Sequence, residues 1–377
     1  MATFINSTQV KNIIKAGAHA RTVFINGETG VGKTAIFHEL KRDPVFANHH
    51  FVDPIDCSQL DLGSIWMPDL NREAGVSREL PNERFGINER NCKGVDGAKP
   101  VMIFLDELGK SKQFIKDMLA PVIYDRRLGR YHLPEGSVVL AATNLAVEGL
   151  GDDFQPHLRS RVTMLYMRKP TQKEWVQNFA VPRGLDPVLI AATEQMPKMF
   201  DSFIDYDASF GGAYASKNLE RDNPYIFNPK AHQDGFVSPR TLHAASDWMK
   251  NAKANGMDDV ELQAVLEGTL GAAGAEHIMA TKRFGNQLPS LEYVLAEPDK
   301  APIPESPVAQ IVQVFQFVTQ LATKAEVDKV MTYVARLKIE MQGLLANYVC
   351  NSSGARLQIW ASNKAFGKSL IALKDFA

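Results

Sequence analysis

One eight-residue segment constrains this chain more than any other feature of its sequence. Residues 27–34 read Gly-Glu-Thr-Gly-Val-Gly-Lys-Thr, fit the pattern G-x-x-x-x-G-K-[ST], and follow the apolar run 22–25. Glycines let the backbone curl so that successive N–H groups point inward at an anion, and a helix that starts there aims its positive end at the same anion. The segment therefore predicts a phosphate-binding loop between a strand and a helix.

Two positions of this loop have a specific predicted role. Lys33 is expected to reach the β- and γ-phosphates of a nucleotide, and the hydroxyl of Thr34 to bind Mg²⁺. The alternative is a glycine turn that caps an ordinary helix, which the preceding strand disfavours. The predicted nucleotide-binding residues are Gly27, Glu28, Thr29, Gly30, Val31, Gly32, Lys33 and Thr34.

Two acidic residues follow the most apolar stretch of the chain. The run 101–105 reads Val-Met-Ile-Phe-Leu and ends in Asp106 and Glu107, which is typical of a parallel strand buried on both faces. Ligands of such sheets bind at the carboxyl ends of the strands. Asp106 is predicted to hold Mg²⁺ opposite Thr34, and Glu107 to act as the base for the attacking water. A solvated strand end is the alternative interpretation.

Four further polar residues are candidates for catalysis. Asn144 ends the next apolar run and is predicted to orient the same water, although asparagine is also common in turns. Arg159 and Arg161 flank Ser160, where an arginine could project into a neighbouring subunit and meet charge on the γ-phosphoryl group. Arg161 is favoured because it adjoins a predicted strand. Arg240, at a predicted helix start, could report the nucleotide state, or it could be an ordinary surface arginine.

Composition excludes several classes of protein. The 377 residues carry a net charge of −1, which argues against a whole-surface nucleic-acid binder. Three separated cysteines form neither a disulfide framework nor a C-x-x-C metal site, which indicates reduced thiols in a cytoplasmic compartment. Neither a secretory signal nor an apolar run of membrane-spanning length is evident.

Residues 1–169 are predicted to form an α/β core. Apolar patterns predict a helix over 8–17 and strands at 50–56, 100–105, 137–144 and 162–166. A further helix is predicted over 111–124, which Pro121 should kink or end early. The polar segment 71–99 is predicted to be an extended loop or insertion, and 125–136 a small hairpin that either faces a central pore or is a plain connection.

The rest of the chain is predicted to be helical. Residues 170–300 would form a helical lid that opens with a capping box at Thr171 and Glu174 and contains a long loop over 201–235. A helix from Pro239 is expected to turn Leu242, Ala245, Trp248 and Met249 inward. The proline-bearing segment 301–307 is interpreted as a linker to a C-terminal helical extension, 301–377. The predicted fold class is thus a P-loop NTPase α/β sheet with flanking helices, an all-helical lid and a helical extension.

Taken together, the motifs resemble those of AAA+ ATPases, and within them the MoxR and dynein-related group. Residues 104–108 match Walker B, 141–144 sensor 1, 159–162 the arginine-finger site and 238–240 sensor 2, all in the family's order. The resemblance implies ATP and Mg²⁺ as cofactors, a ring of usually six identical subunits and a finger supplied in trans. It also implies a remodelling role, often with a partner that carries a von Willebrand A-type domain. The finger region reads Ser-Arg-Val rather than the commoner Arg-Phe ending, so either Arg159 or Arg161 fits.

Three functions are compatible with this sequence. The favoured one is an ATP-driven ring that remodels or activates a protein client, with no membrane contact. The second is a nucleic-acid-directed motor or loader, and the third is a scaffold that oligomerises with nucleotide and hydrolyses it only incidentally. For the second function, the basic residues that could line a pore are Lys110, Lys112, Lys116, Arg126, Arg127 and Arg130.

Overall fold

The computed structural model describes residues 3–145, 159–209, 222–229, 232–352 and 354–367. The chain divides into two compact units, Met1–Lys169 and Pro170–Ala377. The boundary lies one residue before the capping box at Thr171, whose hydroxyl accepts a hydrogen bond from the backbone N–H of Glu174. The proposed separation of a lid from a C-terminal extension within the second unit stays a prediction.

A parallel sheet forms the centre of the first unit. Its strands are β1 Phe4–Ile5, β2 Thr22–Gly27, β3 His50–Phe51, β4 Ile55–Asp56, β7 Val101–Asp106, β10 Val138–Thr143 and β11 Val162–Met167. Within the described residues their order in the sheet is β1-β11-β2-β10-β7-β3, with β4 also paired to β7, and every pairing is parallel. A parallel sheet covered by helices, followed by a helical region, confirms the predicted fold class.

Helices cover the sheet because its central strands are apolar on both faces. Alternate residues of a strand point to opposite sides, so Ile103 and Leu105 pack in one apolar cluster, and Met102 and Phe104 in another. The first cluster includes residues of α3 (Gln113–Asp125), and the second includes residues of α1 (Ser7–Gly17) and α2 (Lys33–Leu40).

The structure refines three predictions about the first unit. The strand predicted over 50–56 is two short strands, β3 and β4, separated by a segment that contains Pro54, which has no N–H to donate. The segment 71–99 is not all loop, because β5 (Trp66–Asn71) and β6 (Val76–Pro81) form an antiparallel hairpin. Of the two outcomes predicted at Pro121, a kink or an early end, the early end is wrong, because helix α3 continues through the proline. Burial of Leu119, Val122 and Ile123 on either side of it holds the helix against the sheet.

The predicted hairpin over 125–136 is present. Strands β8 (Arg127–Leu128) and β9 (Tyr131–His132) pair in antiparallel register. Arg126, which joins α3 to β8, has a positive φ of 53° and donates to the carbonyls of Ala18 and Ile123 and to the hydroxyl of Thr22. Burial lowers the pKa of Arg126 to about 10, which leaves it charged at neutral pH. Its side chain therefore ties the hairpin to the base of the sheet.

The second unit is built from helices around a large apolar core that runs from Trp175 to Phe366, with a small separate cluster at Phe203 and Ile226. A π-helical segment, Val176–Ala180, directly continues the first of these helices. The helices are Gln172–Trp175, Pro187–Gln195, Phe203–Ser209, Pro239–Asn255, Asp259–Leu270, Ala272–Gly285, Leu291–Ala296, Pro307–Gln320, Lys324–Val334, Ile339–Cys350 and Ala355–Ala361.

Predictions about the second unit also needed correction. The loop predicted over 201–235 begins with the helix Phe203–Ser209, and residues 210–221 and 230–231 of it lie outside the described residues. Trp248 is 42% exposed rather than turned inward, whereas Leu242, Ala245 and Met249 are buried as predicted. The segment 301–307 is anchored, because Ala301 is fully buried and Tyr333 and Gln310 donate to the carbonyls of Pro302 and Pro304.

Within the described parts of the chain, every helix is too short or too polar to cross a lipid bilayer.

Candidate functional site

The loop between β2 and α2 takes a shape that only glycine adopts easily. Gly30 and Gly32 have φ angles of 70° and 104°, in the left-handed region, and α2 begins directly after Gly32. Gly27 pairs with Met167 at the end of β11, and a Cβ placed on it would lie 3.0 Å from the Met167 carbonyl oxygen. The loop is therefore fixed against the sheet at its start and turned by glycine at its end.

Lys33 is held inside this loop. Its side chain is 7% exposed, and Nζ donates to the carbonyls of Gly27 at 2.8 Å and Glu28 at 2.9 Å and to Asn144 Oδ1 at 2.7 Å. Burying an ammonium is costly unless it is hydrogen-bonded, and these oxygens supply the bonds. The contact with Asn144 links the loop 27–34 to the end of β10.

Thr34 and Asp106 meet at the same edge. The Thr34 hydroxyl donates to Asp106 Oδ2 at 2.7 Å. The register explains the contact, since β10 lies between β2 and β7 and all three strands run parallel, so their carboxyl ends are neighbours. Lys33, Thr34, Asp106 and Asn144, predicted from separate motifs, form one cluster.

Glu107 leaves the strand in an unusual conformation. Its φ is 51°, which is uncommon for a residue other than glycine, and its N–H donates to Asp106 Oδ1 at 3.0 Å. Glu107 Oε1 lies 3.0 Å from Lys110 Nζ. Glu107 Oε2 is buried and has no hydrogen-bond partner within the described residues. The side chain is thus beside the cluster but engaged by a lysine of its own turn.

The cluster fits a magnesium nucleotide. A hydroxyl and a carboxylate oxygen 2.7 Å apart are the hard oxygen ligands that Mg²⁺ takes, with phosphate oxygens and water completing its shell. Asn144 is 2% exposed, and its Nδ2 is a buried donor that finds no acceptor in the described part of the chain. A phosphate oxygen or a water beside Lys33 would satisfy that donor.

Arg161 and the nearby Arg159 lie at the amino ends of the parallel strands, opposite the end that carries the loop 27–34. Arg161 directly precedes β11, whose first residue pairs with Thr22 at the start of β2, whereas the loop 27–34 lies at the end of β2. A six-residue strand is about 20 Å long, so the backbone of Arg161 is at the opposite edge from Lys33 of the same chain. The guanidinium of Arg161 lies 5.1 Å from the ring centroid of Tyr124, and Arg159 is also exposed.

Arg240 belongs to the second unit. It is the second residue of the helix Pro239–Asn255, it is exposed, and the capping pair Ser238 and Thr241 surrounds it. Its local geometry is that of a well-formed helix start.

Sequence reasoning missed three residues beside the cluster. Lys110 was assigned to a basic pore, although its spacing of three from Glu107 is that of an ion pair. Gly109 packs so closely on Thr143 that a Cβ on it would lie 2.0 Å from Thr143 Oγ1. Cys57 lies just after β4, and burial, with the nearby charges of Asp106 and Asp56, raises the pKa of its thiol. Only the first of these had a signal in the sequence.

In sequence, the chain matches no family model and no curated protein. Among solved structures, NtrX from Brucella abortus is similar at 13% identity over 74% of this chain and 68% of that chain, with a TM-score of 0.31. A point mutant of RuvB from Thermotoga maritima is similar at 12% identity over 98% of this chain and 89% of that chain, with a TM-score of 0.32. Similarities of this size support no inference about activity.

Proposed function

We propose that this chain is an ATP-hydrolysing protein of the AAA+ type that works as a ring to remodel or activate a protein client. The observation that carries the proposal is the contact between Thr34 and Asp106, made beside the buried ammonium of Lys33. A magnesium nucleotide needs these three groups within a few ångströms of one another. Glycine turns and solvated strand ends, the alternative interpretations, do not require such a contact.

Different residues of the chain would have different roles in ATP hydrolysis. The loop 27–34 and Lys33 would bind the phosphates, and Thr34 and Asp106 would hold Mg²⁺, which would neutralise phosphate charge. Asn144 would orient a water, and Glu107 would accept its proton as the water's oxygen bonds to the γ-phosphorus and the bond to the leaving diphosphate breaks.

A ring is proposed because the candidate finger cannot reach its own nucleotide. Arg161 and Arg159 lie near the amino end of β11, and the phosphate loop lies at the carboxyl end of β2. A neighbouring subunit would therefore supply the arginine. The resemblance to MoxR-type proteins favours six subunits, a cytoplasmic location and a client or partner with a von Willebrand A-type domain. Arg240 is proposed to couple the second unit to the nucleotide.

The nucleic-acid alternative loses part of its basis. Of the basic residues assigned to a pore, Lys116 is buried, Arg126 is bound to carbonyls at the base of the sheet, and Lys110 is paired with Glu107. Lys112, Arg127 and Arg130 remain as candidate contacts to a phosphate backbone.

ATP binding and turnover measured separately test this function. Lys33→Ala is expected to lose nucleotide binding, because no other ammonium lies in the loop. Glu107→Gln is expected to bind ATP with turnover reduced at least about 100-fold, the usual worth of a positioned base. Lys41→Ala, at the exposed far end of α2, is the control and should match the wild type. Full turnover by Glu107→Gln would overturn the assignment.

Mixing two inactive variants tests the ring. Arg161→Ala subunits keep Glu107, and Glu107→Gln subunits keep Arg161, so a mixed ring contains interfaces with both groups intact. Mixing should restore turnover that neither protein has alone, and the same test with Arg159→Ala identifies the finger. If mixing never restores turnover for either arginine, the trans arrangement is wrong.

A further inference from the structure

The side chain of Arg161 lies against an aromatic ring. Its guanidinium carbon is 5.1 Å from the ring centroid of Tyr124, within the distance at which a cation is attracted to the face of a ring. Burial raises the pKa of the Tyr124 phenol to about 12, so the ring is neutral at physiological pH. The contact therefore joins a cation to a neutral ring, and it is not an ion pair.

Both partners of this contact are fixed through Thr22. Val162, the first residue of β11, follows Arg161 and pairs with Thr22 at the start of β2. The hydroxyl of Thr22 donates to the carbonyl of Ile123, the residue before Tyr124 in α3, at 2.6 Å. Thr22 and Ile123 are both buried, so this junction belongs to the interior of the unit. The backbone positions that carry the guanidinium and the ring are consequently held at a set separation.

The contact leaves the hydrogen-bonding groups of the arginine available. Attraction to a ring uses no oxygen acceptor, so the N–H donors of the guanidinium can still bind one. Within the described residues, Arg161 makes no hydrogen bond or ion pair, and its side chain is exposed. A carboxylate partner would occupy those donors and hold the arginine back. A ring orders the side chain and keeps it able to meet a phosphate.

From this geometry we propose that Tyr124 is a positioning residue that orders Arg161 as the finger supplied to the nucleotide of a neighbouring subunit. The inference rests on the proposed ATPase ring, and it assigns the finger to Arg161 rather than Arg159. A long arginine side chain samples many rotamers, and one that is ordered beforehand loses less conformational entropy when it meets the γ-phosphoryl group. Tyr124 thus raises the rate without touching the nucleotide.

Steady-state kinetics of the full chain test this role. Tyr124→Leu removes the ring and is expected to lower kcat about 2- to 5-fold with the KM for ATP unchanged, the range for a cation–ring contact at an exposed site. Tyr124→Phe keeps the ring and should stay close to the wild type. A raised kcat for Tyr124→Leu would mean that the ring withholds Arg161, and either that result or an unchanged kcat would overturn the proposal.

The matched control is Phe114→Leu. Phe114 lies on the same helix as Tyr124, it is 43% exposed, and its ring centroid is 6.0 Å from the ammonium of Lys112. The variant should leave kcat unchanged. It therefore separates loss of the contact with Arg161 from loss of any aromatic residue of α3 that lies near a cation.

Mixed rings show on which side of the subunit interface Tyr124 acts. Arg161→Ala subunits supply Glu107, and Glu107→Gln subunits supply Arg161, so the turnover restored by mixing reports one kind of interface. Tyr124→Leu added to the Glu107→Gln subunit should lower the restored turnover about 2- to 5-fold. Added to the Arg161→Ala subunit, it should have no effect. A purely structural role would lower turnover from either side, and that result would overturn the proposal.

Failure of this inference is distinct from failure of the proposed function. If binding of a fluorescent ATP analogue that depends on Lys33 is absent, the ATPase assignment falls and the positioning role with it. If binding is present but Arg161→Ala keeps full turnover, Arg161 is not the finger and the proposal is overturned. If Arg161→Ala is inactive and Tyr124→Leu matches the wild type, only the role of Tyr124 is wrong.

Discussion

Among the glycines that the structure describes, Gly109 is the one at which an added Cβ would make the closest contact. A Cβ built on it would lie 2.0 Å from Thr143 Oγ1 and 2.8 Å from Thr143 Cβ. Thr143 is 4% exposed and lies on a central strand, so it has little room to yield. The close approach of these two residues joins the turn after Asp106 to the strand that ends beside Asn144.

Gly109→Ala is expected to destabilise the protein by about 1–3 kcal/mol, the usual cost of overpacking. Thr143→Ala removes the nearest atom, so the double variant should recover part of that loss. Chemical unfolding measures both. The control is Gly17→Ala, where a Cβ meets no described atom within 4 Å, and it should be neutral or slightly stabilising. Equal stability of Gly109→Ala and the wild type would contradict the close packing.

Cys57 is expected to be inert to thiol reagents in the folded protein. Burial raises the pKa of its thiol, and Asp106 and Asp56 nearby raise it further, which disfavours the reactive thiolate. Cys350 is exposed and serves as the reactive comparison. Alkylation followed by mass spectrometry should modify Cys57 only after unfolding. Rapid native labelling of Cys57 would mean that the strand end beside Asp106 opens readily.

At the level of elements, buried strands and their ends were predictable, and exposed elements were not. The central strands β7 and β10 are continuous apolar runs, and parallel pairing brings their ends together, so Asp106 and Asn144 could be placed near Lys33 from sequence. The β5–β6 hairpin lacks a buried face: Met67, Leu70, Val76 and Leu80 are 43–66% exposed. Without a core face there is no alternating pattern to detect.

The turn after Asp106 shows a second limit of sequence reasoning. The pairing of Lys110 with Glu107 depends on the left-handed backbone at Glu107 and on the contact between Gly109 and Thr143. Both are consequences of tertiary packing. A lysine three residues after an acid is common, and spacing alone does not distinguish an ion pair from a basic surface.

Helix α3 gives a prediction about its proline. Pro121 has no N–H to donate to the carbonyl of Asp117, and a proline inside a helix is unfavourable by up to about 3 kcal/mol. Pro121→Ala restores the donor but also frees the unfolded chain, which offsets roughly 1 kcal/mol. A net stabilisation of about 1–2 kcal/mol is expected, seen as a higher Tm. A lower Tm would show that the proline's ring packing outweighs the missing bond.

For the whole molecule, the apolar cores follow the division into two units. One cluster contains buried residues from Trp175 to Phe366 only, and the clusters on either face of the sheet are drawn from residues before 168. Each unit therefore has its own hydrophobic interior, which is the usual condition for independent folding.

Residues 170–377 alone are expected to fold. Circular dichroism should show a helical spectrum and a single cooperative unfolding transition, because the segment 301–307 is anchored within this unit by Tyr333 and Gln310. A matched comparison is a piece that ends at residue 300, which loses that anchoring and part of the core. A non-cooperative transition for 170–377 would mean that the first unit is needed to complete its interior.

The enclosure of Lys33 has a consequence for selectivity among anions. Its ammonium is already bonded to two carbonyls and an amide oxygen, so a ligand must exchange with those oxygens rather than capture an unshielded charge. A lone sulfate or orthophosphate would offer few compensating bonds, whereas a polyphosphate would also engage the N–H groups of the glycine turn and the cation that Thr34 and Asp106 are proposed to hold. The loop should consequently ignore abundant inorganic anions and respond to chains of phosphates.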